Sequence, residues 1–176
     1  MVPDIKKILF TTDLSKNARY AFNYAARLAS LNDAGIVILH VIEDTPKNID
    51  ALLSDLLGAE KAEELRKGHE EDARSILIGK KKEHVMIKQA LERFCRKADS
   101  ELADTTGVFE TDEIIVKRGN VVEEIISQVE TSNCDMIVMA YHSRSMLAEA
   151  LLGGKLRSVL KQAKKPVLLV PMPDEN

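Results

Sequence analysis

Five short runs of β-branched and aliphatic residues recur along the chain, at Ile5 to Phe10, Gly35 to Ile42, Glu110 to Lys117, Cys134 to Ala140 and Val167 to Val170. Each is bounded by turn-forming or polar residues, the pattern of a β-strand. Three are almost continuously apolar. Strands with one wet face would alternate, so these predict parallel strands covered on both sides. Between the first two runs, Ala18, Ala21, Phe22, Ala25, Leu28 and Ala29 recur at three- and four-residue intervals. That spacing predicts an amphipathic helix, with Ser15 placed to cap it. After the third run Gly119 permits a turn, Asn120 and Glu123 make an N-x-x-E start, and Val121, Val122, Ile125, Ile126 and Val129 form a helical stripe. A last helix is predicted from about Gly154 to Ala163, with Leu156, Val159 and Leu160 facing inward, before Lys164, Lys165 and Pro166 stop it.

Residues 44 to 106 differ, with 14 acidic and 12 basic side chains and no strand-like run. Ile87, Leu91, Phe94, Ala98 and Leu102 follow one another at four, three, four and four residues, which predicts one long amphipathic helix over Lys82 to Ala103. Leu52, Leu53, Leu56, Leu57 and Leu65 suggest a further helix or two before it, and Gly68 and Gly79 argue against a single rod. No repeat or low-complexity linker divides the chain, so residues 1–176 are expected to form a single domain carrying a charged helical excursion at about 44–106. Helices alternating with buried strands indicate an α/β protein, an open five-stranded parallel sheet with helices on both faces, Rossmann-like. Ligands of such sheets bind beyond the carboxyl ends of the strands. The loops to inspect are therefore Thr11 to Ser15, Val41 to Thr45, Arg118 to Asn120 and Tyr141 to Gly154.

Composition narrows the partners. With 25 Lys and Arg against 28 Asp and Glu among 176 residues, no global positive field exists to hold a nucleic acid backbone. The absence of Trp and the 4% aromatic content also remove stacking platforms for single strands. No apolar run approaches the length of a membrane span, and the opening residues lack the apolar stretch of a secretory leader. Cys95 and Cys134 form no CxxC and offer neither a disulfide framework nor a metal site. A cytoplasmic protein bound to neither membrane nor nucleic acid is the expectation.

The first loop reads Thr11-Thr12-Asp13-Leu14-Ser15, a carboxylate and hydroxyls at the sheet edge before a helix. Asp13 could accept hydrogen bonds from a ligand amino group, or simply favour the helix start electrostatically. The fourth loop opens Ala140-Tyr141-His142-Ser143-Arg144-Ser145 and ends Gly153-Gly154-Lys155 as a helix begins. Small residues and amides there could cradle an anion, or the glycines could merely turn the chain. Other chemistries fit less well. GxxxxGK[ST] fails because Glu149 stands at the first glycine position and Leu156 follows Lys155, and there is no GxGxxG. A phosphorelay receiver would need an acidic cluster, a third-strand aspartate and a fifth-strand lysine, where this chain has Lys117-Arg118-Gly119 and Pro171. No GxSxG elbow supports a hydrolase built on His142, Ser143 and Asp135, so no catalytic residue is assigned. His40, inside a strand, reads as a structurally satisfied histidine, and His69 and His84 as solvated.

Together these features resemble the universal stress protein family over nearly the whole chain. They are Thr11-x-Asp13-x-Ser15 after a strand, the strand ending Leu39-His40-Val41, the charged excursion, Gly119 before a helix, Cys134-Asp135-Met136-Ile137-Val138-Met139, the Leu151-Leu152-Gly153 loop and the closing Lys165-Pro166-Val167-Leu168-Leu169-Val170. The resemblance implies a sheet of adenine nucleotide alpha hydrolase-like type, often dimeric through the final strand, with a pocket for ATP in nucleotide-binding members. Carried over, Asp13, flanked by Thr11 and Thr12, lies on the adenine side, and the backbone of Val41 lines the base. Gly119 closes the neighbouring turn. The family's phosphate and ribose motif, Gly, two residues, Gly, nine residues, Gly, then Ser or Thr, falls on Ala140, Ser143, Gly153 and Gly154, with His142, Arg144 and Lys155 beside it. The spacing survives but only Gly153 keeps its identity. Ala140 and Ser143 add atoms where backbone should approach, at a cost if either needs a positive φ, and Gly154 lacks a hydroxyl. The expected function is a nucleotide-responsive module of the stress response, binding ATP or another adenine nucleotide, with Mg as a companion of the phosphates. The alternatives are a module that binds no nucleotide and works through protein contacts, and a slow ATP hydrolase. A homodimer through Val167 to Val170 is expected.

Overall fold

The apolar runs and helical stripes build β1 (Lys7–Thr11), α1 (Ala18–Asn32), β2 (Gly35–Ile42), α2 (Ala73–Thr106), β3 (Glu110–Arg118), α3 (Val121–Thr131), β4 (Met136–His142), α4 (Gly154–Gln162) and β5 (Val167–Met172). The computed structural model describes residues 4–15, 18–43, 73–106, 109–142 and 154–172. The five strands form one sheet in the order β3-β2-β1-β4-β5, and every neighbouring pair is parallel. The near-continuous apolar runs are explained by two layers of helix. On one face Phe22, Ala25 and Ala29 of α1 and Leu91, Cys95 and Ala98 of α2 pack on Ile8, Phe10, Ile36 and Ile38. On the other, Ile125 and Val129 of α3 and Val159 of α4 pack on Leu9, Val37, Leu39 and Ile137. Alternate strand residues thus serve opposite cores, as a strand's two-residue period requires.

The chain's four phenylalanines meet in the first core. Phe22 stands edge-on to Phe10, Phe94 and Phe109 with ring centroids 5.2, 5.2 and 5.6 Å away. One ring thereby ties α1 to β1, to α2 and to the lead-in of β3. Cys95 and Cys134 are buried free thiols in opposite layers.

Several elements depart from the sequence expectation. β1 starts at Lys7, where the Asp135 carboxylate accepts the Lys6 and Lys7 amides at 2.9 and 3.1 Å and the Lys6 carbonyl accepts the Gly35 amide at 2.9 Å. α2 begins at Ala73, nine residues before the expected start, and runs through Gly79. A glycine inside a helix costs only about 0.5–1 kcal/mol, which the surrounding turns of a 34-residue helix absorb. In α4, Val159 is fully buried while Leu160 is 37% exposed and faces outward. The cap expected of the Ser15 side chain is not made. Its carbonyl accepts the Ala18 amide at 3.0 Å, and its hydroxyl oxygen is buried without a hydrogen-bond partner among the described residues. Asn120 does cap α3, its Oδ1 accepting the amides of Val122 at 3.0 Å and Glu123 at 3.2 Å. The predicted helices before residue 73 lie outside the described residues.

Candidate functional site

From β1 the chain steps outward through β2 to β3, then returns to lay β4 on the other side of β1. Strand order therefore reverses between β1 and β4, and the loops leaving those two strands diverge there. A crevice at the carboxyl edge of such a switch point is where ligands bind in open parallel sheets.

The first wall of this edge is pinned by short-range bonds. Thr11 ends β1 in register with Leu39 and Met139. The Thr12 amide donates to the Leu39 carbonyl at 3.0 Å, and its carbonyl lies 2.8 Å from His40 Nδ1. A carbonyl only accepts, so Nδ1 carries the proton and donates. Thr12 Oγ1 then accepts the Leu14 amide at 3.1 Å and Asp13 Oδ1 the Ser15 amide at 2.9 Å, two side-chain turns in succession. Between them Leu14 adopts a left-handed φ of 63°. Asp13 is exposed at this turn.

The second wall follows β2. Val41 packs against the α3/α4 core, Ile42 accepts the Gly119 amide through its carbonyl at 2.9 Å, and Glu43 follows. This bond brings Gly119 to the end of β2, at a φ of 152° that only glycine tolerates easily. Across the edge, Lys155 in the first turn of α4 donates to Glu43, with its Nζ 2.6 Å from Oε1 and 2.7 Å from Oε2.

The structure thus gathers Thr11, Thr12, Asp13, Val41, Gly119, Gly154 and Lys155 at the carboxyl edge of one sheet. Ala140 stands in β4 opposite Val170 and packs against the α1/α2 core. It is not among the residues of positive φ, so the backbone penalty considered for a non-glycine residue does not arise there. His142 closes β4 in register with Met172. Ser143, Arg144 and Gly153 lie outside the described residues. Three features were missed by sequence reasoning: the left-handed Leu14, the His40 tie to Thr12 and the Glu43 partner of Lys155. Only the first carried a local signal, since Asp13 and Ser15 flank it as turn formers. Among the described residues no group of three or more His, Cys, Asp or Glu side chains is placed to hold a metal ion, and no helix is long and apolar enough to cross a membrane.

A doubly wound parallel sheet with its crevice between the first and fourth strands defines the class: an α/β protein of the adenine nucleotide alpha hydrolase-like fold, shared with solved universal stress proteins. The Universal stress protein family model matches residues 4–171, and the chain belongs to that family. It is 31% identical over 173 residues to universal stress protein MJ0577 of Methanocaldococcus jannaschii, covering 94% of each chain. The solved structure of MJ0577 superposes with a TM-score of 0.60 at 25% identity, over 98% of this chain and 100% of that one. The same fold occurs in a universal stress protein in complex with cAMP, at TM-score 0.54, 15% identity and 97% and 100% coverage. It recurs in one from Archaeoglobus fulgidus in complex with dAMP, at TM-score 0.51, 16% identity and 95% and 98% coverage.

Proposed function

We propose that this universal stress protein is a nucleotide-responsive module that binds an adenine nucleotide at the carboxyl edge of β1, β2 and β4. The observation that carries the reading is the convergence there of the exposed Asp13 turn, the end of β2 at Val41, Gly119 and the start of α4. The buried Ser15 hydroxyl, unpartnered among the described residues, is a spare donor and acceptor on the same loop, and such groups are costly unless something uses them. The cAMP and dAMP complexes of fold neighbours favour the same ligand class. In this reading Asp13 accepts a hydrogen bond on the base side, Val41 lines the base and the start of α4 meets the phosphates. Mg would accompany those phosphates rather than reside in the protein. The module works as one domain and as a homodimer through β5, in the cytoplasm.

Calorimetric titration with ATP and AMP tests it. Asp13→Ala should weaken binding by about 1–3 kcal/mol, the cost of losing a hydrogen bond to a charged acceptor. An unchanged affinity would place the ligand elsewhere, and a parent protein that binds neither nucleotide at millimolar concentration would refute the reading.

A further inference from the structure

Lys155 is the described cation expected to meet nucleotide phosphates, and in the structure both oxygens of the Glu43 carboxylate hold its ammonium, at 2.6 and 2.7 Å. The two residues are 112 positions apart in the chain and belong to different elements, so their meeting is a product of the fold. Lys155 stands one helical turn before Val159, on the same side of α4. Val159 is fully buried in the core beneath the sheet face that Val41 also joins. On the opposing element Glu43 follows Val41 by two, the strand period, and the preceding carbonyl of Ile42 is fixed by the Gly119 amide at 2.9 Å. Both stems are therefore rooted in rigid parts, and the pair reaches from the end of β2 to the start of α4 past the end of β1.

We propose that Glu43 is a specificity-determining residue that sets the site against polyphosphates, so that adenosine and adenine monophosphates bind in preference to ATP. The inference rests on the nucleotide reading and deepens it. A cation already paired with a carboxylate presents no net charge, and a ligand that recruits Lys155 must displace Glu43. The displaced carboxylate then faces the ligand's own negative charge, an opposition that grows with each added phosphate and is absent for adenosine. The side chains are 61% exposed for Lys155 and 29% for Glu43. A pair with that much solvent access is worth only about fivefold in an equilibrium. Selection is accordingly graded rather than absolute.

The test is titration of adenosine, AMP and ATP into the parent, Glu43→Gln and Lys155→Met proteins at low salt, with melting temperatures confirming that each variant is folded. Freed Lys155 in Glu43→Gln should raise ATP affinity about twofold to fivefold, raise AMP affinity less and leave adenosine unchanged. Lys155→Met, which removes the described partner of Glu43, should lower ATP affinity by a similar factor. These differences should shrink as salt is added, because partly exposed charges are screened. If the parent binds adenosine or AMP but Glu43→Gln leaves the ratio of ATP to AMP affinity where it was, Glu43 does not select and the nucleotide reading stands. If neither the parent nor Glu43→Gln binds any of the three at millimolar concentration, the nucleotide reading itself fails and this inference falls with it.

Discussion

Leu14 holds a left-handed backbone at 41% exposure, which costs a non-glycine residue roughly 1–2 kcal/mol. The conformation persists because Thr12 and Asp13 bind the amides that follow and because His40 holds the Thr12 carbonyl from the adjacent strand. His40 is thus a positioning residue for the Asp13 turn, acting through backbone. Replacing it with leucine leaves a part-buried carbonyl without its donor, an expected loss of about 1–3 kcal/mol in urea unfolding. His40→Asn, whose amide nitrogen reaches the place of Nδ1, should recover most of that loss. Amide exchange at Leu14 and Ser15 should accelerate in the leucine variant and not in the asparagine one. Equal exchange in both would mean that the turn is self-supporting.

Among the elements, α2 shows most clearly what periodicity conveys. Of the predicted stripe Leu91 and Ala98 are buried, and Ile87, Phe94 and Leu102 pack part-buried against the same core, because a stripe repeated every three or four residues can only face one way. The extension back to Ala73 was not legible, since Gly79 is a local argument against helix. A Cβ at Gly79 would meet nothing within 4 Å, so Gly79→Ala should stabilise the protein by about 0.5–1 kcal/mol, seen as a higher thermal midpoint. A lower midpoint would show that the start of α2 is not helical in solution. Likewise Leu160 was misassigned because α4 covers the rim of the sheet, where the inward arc of a helix narrows to Val159.

At the scale of the molecule, the strand count and parallel sense were legible, because buried runs alternating with amphipathic helices leave few topologies. The pairings that finish the site were not. Glu43 with Lys155 and His40 with Thr12 join residues that no local pattern connects. The sheet order places β5 at an edge, as a seam between two copies requires, and an edge of unpaired amides invites pairing. The strand extends to Met172, two residues past the expected run, but Pro166 and Pro171 still lack amides to share. In the proposed dimer most of the interface would then come from side chains such as the part-exposed Leu169. A change of Leu169→Lys should therefore halve the mass seen by light scattering at micromolar concentration. A mutant that keeps the parent's doubled mass, or a parent that is already monomeric, would move the seam elsewhere.

The gathering of all four phenylalanines around Phe22 has a spectroscopic consequence. The opposite layer, which Val41 joins and which lies under Lys155, has no aromatic ring among its described members. Fluorine introduced as fluorophenylalanine would therefore label one side of the sheet and leave the other dark. A resonance that moves when a nucleotide is added reports a disturbance that has reached the α1/α2 layer, so the protein comes with a reporter confined to one side of its sheet.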